Sequence, residues 1–268
     1  MSVFRKIIRK VYRRMYDLCN KIYIATVKEF GEYIKFKQSF KEYYISKDVI
    51  TDLSECVYRK TYYNDRNKTL VSLCKRQDME AIEKWYEEID GDKVYFDEYF
   101  ENRMSMRIIA KHISRNLSKG SMILDVACGH GAIDRVLSKR GYKVTGIDLN
   151  HNRIDSIKSY IYKAECVKLE DIEENLKYDV IVSLEMLEHV TDIFKTLKKI
   201  YSLLKGGGLL YVSVPNERMI DDEQHVRFFN SDSMIRLLQE SGFSVINVTT
   251  LPYLNYEKDN DLVCVATK

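Results

Sequence analysis

The chain lacks the features that mark membrane-spanning, secreted and disulfide-stabilised proteins. No apolar run approaches the roughly 20 residues that a membrane-spanning helix needs, and the first residues lack the apolar core of a secretory signal. Six cysteines are scattered without C-x-x-C spacing, so neither a zinc knuckle nor a redox dithiol is indicated. With only two prolines and eleven glycines, the composition excludes a collagen-like chain. We therefore expect reduced thiols and a cytoplasmic location.

A strong charge imbalance is also missing, since 43 basic residues face 40 acidic ones and the net charge is +3. This balance gives no reason to expect a nucleic-acid partner. The basic residues are concentrated at residues 1–16, where the spacing of apolar side chains predicts an amphipathic helix at 3–18. Two interpretations stay open: peripheral contact with an anionic membrane, or packing of the apolar face on the rest of the protein.

The pattern along the chain changes at about residue 94. Residues 1–93 predict a helical N-terminal extension, and residues 94–268 alternate short apolar strands with amphipathic helices. Such alternation predicts a mostly parallel, seven-stranded α/β sheet with helices on both faces. The last two strands have no helix between them, which favours an antiparallel hairpin at one edge. Strands are predicted at 121–127, 142–148, 165–169, 178–184, 209–214, 244–249 and 262–267, and helices at 97–116, 131–139, 153–162, 191–204 and 231–241.

The first predicted strand runs into a glycine loop that opens a helix. Gly129 and Gly131 allow a sharp turn and close approach of a ligand, and the helix amino end adds free N–H groups. The third glycine of the dinucleotide fingerprint is absent, so a pyrophosphate clamp is poorly matched. Asp125, four residues before Gly129, places a carboxyl group at the strand end. A binding loop is therefore indicated after the first strand.

A second carboxylate, Asp148, ends the second predicted strand 17 residues after Gly131. At this position it can accept hydrogen bonds from the two hydroxyls of a ribose, as in other nucleoside-binding α/β sheets. The alternative is a surface carboxylate that caps the helix after it.

The third motif follows the fourth strand. If the segment is helical, Glu185, Glu188 and His189 share one face, and His225 follows in a later loop. Two carboxylates and two imidazoles could bind Mg²⁺ or another divalent metal. In the other interpretation Glu188 pairs or caps, and His189 or His225 is a general base.

The order and spacing of ILDVACGHGAI, VTGIDLN, KYDVIVSLEMLEHV, LLKGGGLLYVSVPN and HVRFF followed by LLQESGF resemble the class I S-adenosylmethionine-dependent methyltransferases. The resemblance covers residues from about 94 to the C-terminus and is nearest to the branch of the ubiquinone-biosynthesis O-methyltransferases. It implies a Rossmann-like fold with S-adenosylmethionine as cofactor.

The resemblance also implies roles for individual residues. At the methionine end of the cofactor it implies contacts from Gly129 and Gly131, with Asp125 orienting the amino group through the loop. We also expect Cys128, inside the loop, and Glu185 among the cofactor-binding residues. At the adenosine end it implies ribose binding by Asp148 and adenine contacts from Leu149, Asp171 and Ile172. The small-RNA terminal 2′-O-methyltransferases share the E-x-x-E-H…H pattern and use it for a metal, which keeps the metal interpretation open.

Methyl transfer from a sulfonium is an in-line displacement, so the enzyme must align two groups and remove at most one proton. We expect a hydroxyl acceptor on a small molecule or a glycan, with His189, His225 and Glu188 as catalytic residues. Transfer to nitrogen, transfer to an RNA 2′-hydroxyl and a catalytically silent scaffold are the alternatives. The sequence gives no indication of the oligomeric state.

Overall fold

The computed structural model describes residues 27–41, 84, 103–190, 192–216, 229–252 and 260–268. The chain divides into two compact units, Met1–Ser39 and Phe40–Lys268. In the first unit residues 27–38 are helical. The predicted boundary at residues 93 and 94 and the amphipathic helix at 3–18 lie outside the described residues and stay predictions. No helix within the described ranges is long and apolar enough to cross a membrane.

The second unit alternates helices and strands as the sequence predicts. The helices are α1 (Met104–Asn116), α2 (Ala132–Lys139), α3 (His151–Ile157), α4 (Ile193–Leu203) and α5 (Ser231–Glu240). The strands are β1 (Met122–Val126), β2 (Lys143–Asp148), β3 (Lys163–Cys166), β4 (Tyr178–Leu184), β5 (Leu204–Pro215), β6 (Ser244–Pro252) and β7 (Asn260–Thr267), with a 3₁₀ turn at Leu169–Asp171.

In the described part of the chain these seven strands form one sheet in the order β3-β2-β1-β4-β5-β7-β6. Strands β1 to β5 pair in parallel, whereas β7 is antiparallel to both β5 and β6. The predicted antiparallel pair is therefore present, with β6 at the edge and β7 between β5 and β6. The strand order reverses between β1 and β4, and ligands of open α/β sheets bind at the carboxyl ends of the strands at such a reversal.

Helices cover both faces of the sheet, as predicted. On one face α4 and α5 pack against alternate strand residues that include Leu124, Ile181 and Val212. Intervening residues face the other side, where α1, α2 and α3 lie: His112 of α1, for example, hydrogen-bonds the Tyr211 hydroxyl at 2.8 Å. The central strands β1 and β4 are thus buried on both sides, which explains their near-continuous apolar sequences, whereas the edge strands β3 and β6 keep accessible residues.

Several predicted boundaries differ from the structure. Strand β3 occupies Lys163–Cys166 rather than 165–169, and α3 ends at Ile157 rather than at residue 162. Helix α3 begins at His151 rather than at residue 153, since the Asn150 side chain accepts the N–H of Arg153 and caps the helix. Strand β5 begins at Leu204 rather than at residue 209 and includes the three glycines after α4. A Cβ on Gly208 would lie 3.0 Å from the Asp179 carbonyl oxygen, so β4 and β5 can approach here only with glycine.

Substitution of Gly146 in β2 tests the packing beneath the glycine loop. A Cβ there would lie 2.8 Å from Asp134 Oδ2 and 3.0 Å from Cys128 Sγ, whereas a Cβ on Gly206 would meet nothing within 4 Å. We expect Gly146→Ala to lower the free energy of unfolding by about 1–3 kcal/mol through overpacking. Gly206→Ala is the matched control and should change it by less than about 0.5 kcal/mol. Equal urea midpoints and slopes for the two variants would contradict this packing.

Candidate active site

The loop between β1 and α2 is held in an unusual backbone conformation. Ala127, Gly129 and Gly131 all have positive φ, at 61°, 54° and 67°. The left-handed region costs about 1–2 kcal/mol for a residue with a Cβ, so Ala127 is strained. Such strain at the carboxyl end of a strand is typical of functional loops. The N–H of Cys128 donates to Ile147 O at 2.9 Å and ties the loop to β2.

The loop leaves room for a ligand at Gly129. A Cβ on Gly129 would meet nothing within 4 Å, whereas one on Gly131 would lie 2.9 Å from Ile157 Cγ2. Gly129 therefore faces open space, and Gly131 packs tightly against α3. Cys128 is buried, and burial followed by the charge of Asp134 raises the pKa of its thiol, so that side chain is a packing group rather than a nucleophile.

Asp148 holds the loop from the end of β2. Its Oδ2 accepts the N–H of Gly129 at 2.9 Å, and its Oδ1 accepts the N–H of Asn150 at 2.9 Å. Arg153 Nη1 lies 3.8 Å from Oδ2. Asn150, and not Asp148, caps α3, so the capping alternative is wrong. Each carboxylate oxygen can accept more than one hydrogen bond, which leaves capacity for two ribose hydroxyls.

The residues expected at the adenine lie beyond β2 and β3. Leu149 is half-buried, and its carbonyl accepts from Cys166 Sγ at 3.3 Å. Asp171 closes the 3₁₀ turn with an exposed side chain, and Ile172 is buried in the main core. The roles of these residues toward adenine stay predictions.

Glu185 follows β4 in a strained conformation, with φ at 55°. Its N–H donates to Ser213 O at 2.9 Å, and its carboxylate accepts from Ser213 Oγ at 2.7 Å. Arg103 Nη1 lies 3.0 Å from Glu185 Oε2 in an ion pair that is almost fully buried. The carboxylate is thus held between the residue that precedes α1 and the end of β5.

The segment after Glu185 is a turn and not a helix. The N–H of His189 donates to Met186 O at 3.0 Å, and no described residue in 185–190 is helical. The expected common helical face for Glu185, Glu188 and His189 is therefore wrong. The turn nonetheless brings Glu188 Oε1 to 3.7 Å from His189 Nε2.

Glu188 is fully buried, and neither of its carboxyl oxygens has a hydrogen-bond partner in the described structure. Burial raises the pKa of this carboxyl well above its usual value, and the nearby charge of Glu185 adds to the shift while Arg103 opposes it. His189 is partly exposed. A buried carboxyl group beside an accessible imidazole is an arrangement that can take up and release a proton.

A third carboxyl group, Asp261 at the start of β7, completes this region. It is fully buried and accepts a hydrogen bond from Ser105 Oγ of α1. Burial raises the pKa of Asp261, and the charge of Glu185 adds to the effect. Arg103, Glu185, Glu188 and Asp261 are called the acidic cluster below. Sequence reasoning missed Arg103, Ser105 and Asp261; an acidic residue opening the apolar strand DLVCVAT was the available signal.

The acidic cluster does not have the geometry of a metal site. Among the residues that the structure describes, no three His, Cys, Asp or Glu side chains are grouped to hold a metal ion. Glu185 is committed to Arg103 and Ser213 instead. His225, the fourth expected ligand and an expected catalytic residue, lies outside the described residues. The expected Mg²⁺ site is therefore not supported.

The chain is similar in sequence to known methyltransferases. A family model described as a methyltransferase domain matches residues 96–248. A ubiquinone biosynthesis O-methyltransferase of Coxiella burnetii is 26% identical over 178 residues, which cover 57% of this chain and 76% of that protein. A protein of the same description from Bradyrhizobium diazoefficiens is 32% identical over 109 residues, or 38% of this chain and 43% of its own.

Two solved structures share the fold. One is a Burkholderia thailandensis 1,6-didemethyltoxoflavin-N1-methyltransferase with bound 1,6-didemethyltoxoflavin and S-adenosylhomocysteine, with a TM-score of 0.57 and 18% identity over 79% of this chain and 93% of that one. The other is the Synechocystis magnesium protoporphyrin IX methyltransferase with bound S-adenosylhomocysteine, with a TM-score of 0.52 and 15% identity over 75% of this chain and 99% of that one.

Proposed function

The chain belongs to the class I S-adenosylmethionine-dependent methyltransferases, and from that premise we propose that it methylates a hydroxyl group on a small molecule or a glycan. The observation that carries the proposal is the Glu188–His189 pair after β4, at the end of the sheet where the glycine loop and Asp148 also lie. The relatives described as O-methyltransferases support the same choice of acceptor atom.

The residues present fit the cofactor. Bound S-adenosylmethionine supplies a methyl group on a positively charged sulfur. Gly129 gives an open approach to the loop, and Asp148 offers a carboxylate whose position is fixed by two backbone N–H groups. Asp125 lies beneath the loop as a second carboxyl group. Hydrogen bonds from the two ribose hydroxyls to a carboxylate that is already held in position favour binding of a nucleoside at this loop.

A hydroxyl acceptor must lose a proton as the new bond forms. His189 is the accessible base after β4, and Glu188 lies behind it at 3.7 Å. Burial raises the pKa of Glu188 well above its usual value, so its carboxyl group is a stronger base than an exposed carboxyl group and can accept a proton from its neighbour. His189 takes the acceptor proton, and Glu188 orients and supports the resulting imidazolium.

One observation favours a second candidate, transfer to an amine. The acidic cluster sets three carboxyl groups beside one arginine, and burial makes Glu188 and Asp261 stronger proton acceptors, which suits an acceptor that arrives as an ammonium ion and must lose a proton. A panel of matched alcohol and amine acceptors, phenol and aniline derivatives included, separates the two candidates. We expect S-adenosylhomocysteine to be released faster with the hydroxyl member of each pair; a consistent preference for the amine would replace the O-methyl proposal.

His189→Ala tests the base directly. We expect kcat to fall about 10²–10⁴-fold, because a positioned general base contributes that much. The Kd of S-adenosylhomocysteine should stay within about twofold of the wild-type value, since His189 is not among the residues assigned to the cofactor. His151→Ala, which removes an exposed imidazole from α3, is the control and should turn over normally. Full activity in His189→Ala, measured with the best acceptor of the panel, would exclude this base.

A further inference from the structure

Beneath the glycine loop, two carboxyl groups from different elements meet in the protein interior. Asp125 of β1 stands opposite Gly146 of β2 in the sheet register. Asp134, in the first turn of α2, places Oδ2 2.8 Å from the point where a Gly146 Cβ would lie. Both aspartates are buried, and the missing side chain of Gly146 makes the space that Asp134 occupies.

Because Asp125 stands opposite Gly146 and Asp134 occupies the space beside Gly146, the two carboxyl groups lie next to each other, and the charge of Asp134 acts on Asp125. An ionised carboxylate only accepts hydrogen bonds, so a carboxyl–carboxyl hydrogen bond requires that the pair hold a proton. Neither oxygen of Asp134 has a backbone or side-chain donor as partner in the described part of the chain. Asp134 is therefore satisfied only when it shares a proton with Asp125.

The charged surroundings of the pair come from three other elements. Asp148 at the end of β2 and the Cys128 thiol in the loop face the pair, and both carboxylate charges of the pair act on that thiol. Arg153 of α3 lies 3.8 Å from Asp148, and His130 of the loop lies near Asp148 and Arg153. The one cation in this set is thus close to Asp148 rather than in contact with Asp125 or Asp134.

We propose that Asp134 is a positioning residue for the cofactor: it holds Asp125 through a shared proton, and the ammonium group that S-adenosylmethionine and S-adenosylhomocysteine have in common expels that proton to water when either molecule binds over the loop. The proposal rests on the cofactor class assigned above. Positive charge brought over the loop stabilises the ionised pair, so one proton leaves for solvent as the cofactor enters. Asp134 thereby couples cofactor affinity to pH.

The expected pH range follows from the two groups. Burial raises the pKa of Asp134 to about 7, and burial together with the charge of Asp134 raises the pKa of Asp125. Because the charge of Asp134 acts on Asp125, Asp134 ionises first: the empty pair holds two protons below about pH 7 and the one shared proton above it, and the cofactor must displace that proton. Affinity should therefore rise with pH through about 7 and continue to rise above it, where the shared proton is still displaced.

The test is calorimetric titration of the full chain with S-adenosylhomocysteine at pH 6.5, 7.5 and 8.5, in two buffers that differ in ionisation enthalpy. In the wild type we expect release of close to one proton at pH 7.5 and a Kd about tenfold lower at pH 8.5 than at pH 7.5. In Asp134→Asn the amide donates to Asp125 in place of the shared proton, so the Kd should change less than about twofold between pH 7.5 and 8.5 and no proton should be released. Asp155→Asn, an exposed aspartate of α3, should behave as the wild type.

Wild-type behaviour of Asp134→Asn, or no proton release in the wild type, would overturn the proposal. If Asp134→Asn does not fold, infrared difference spectra of the wild type, labelled with ¹³C at the aspartate carboxyl carbon, test whether the pair holds a proton. Addition of S-adenosylhomocysteine at pH 6 should remove a protonated carboxyl band, and an unchanged band would reject the shared proton. A complete lack of binding at every pH would instead contradict the cofactor assignment.

Discussion

Replacement of Arg103 with methionine is expected to lower the free energy of unfolding by about 3–5 kcal/mol, the usual loss when one partner of a buried ion pair is removed. Arg103 lies 3.0 Å from Glu185, and both side chains are almost fully buried. Without the guanidinium, Glu185, Glu188 and Asp261 lose the arginine that, in the described structure, offsets the charge of all three carboxyl groups. Urea unfolding at pH 7 measures the loss.

The pH dependence of this variant distinguishes lost charge from lost packing. In the absence of Arg103 the carboxyl groups are most costly when ionised, so Arg103→Met should regain stability relative to the wild type as the pH falls from 7 to 5. The double variant Arg103→Met, Glu185→Gln removes both charges and should recover at least half of the loss. A single variant within 1 kcal/mol of the wild type at pH 7 would show that the ion pair does not hold the end of β4.

Replacement of Asp148 with alanine is expected to raise the Kd of S-adenosylhomocysteine about 100-fold. Each hydrogen bond to a charged group contributes about 1.5–3 kcal/mol, and about 1.4 kcal/mol corresponds to a factor of ten. The same change removes the acceptor for the N–H groups of Gly129 and Asn150, so the loop loses its anchor to β2. Calorimetric titration gives the Kd directly.

Asp155→Ala is the matched control for this prediction, because Asp155 is exposed on α3 and contacts Lys158 rather than the loop. It should leave the Kd within about twofold of the wild type. Circular dichroism should show that Asp148→Ala keeps its secondary structure. A folded Asp148→Ala that binds within threefold of the wild type would remove the ribose assignment.

The fold was predictable because its signals are local. Apolar runs such as Ser121–Ala127, broken by polar helices at regular intervals, are enough to predict a mostly parallel sheet. The glycine loop and Asp148 were predictable for a related reason. Their chemistry depends on residues within about 20 positions that follow two neighbouring strands, and such positions converge in any right-handed βαβ unit.

The acidic cluster was not predictable, because it joins residues that are far apart in sequence. Ser105 and Asp261 are 156 positions apart and meet only because β7 is inserted between β5 and β6. The geometry of Glu185 and Glu188 was wrong at the sequence level, since a helical spacing was assumed where the chain makes a turn. Asp134 was overlooked because an acidic residue in the first turn of a helix is ordinarily a surface feature.

Calorimetric titration of the wild-type chain with S-adenosylhomocysteine, and with NADH as a second ligand, measures whether the glycine loop and Asp148 bind this cofactor. We expect one binding site per chain for S-adenosylhomocysteine, with a Kd in the micromolar range, and no measurable binding of NADH. Saturable binding of NADH, or no heat of binding with S-adenosylhomocysteine up to millimolar concentration, would contradict the assignment of the glycine loop and Asp148 to this cofactor.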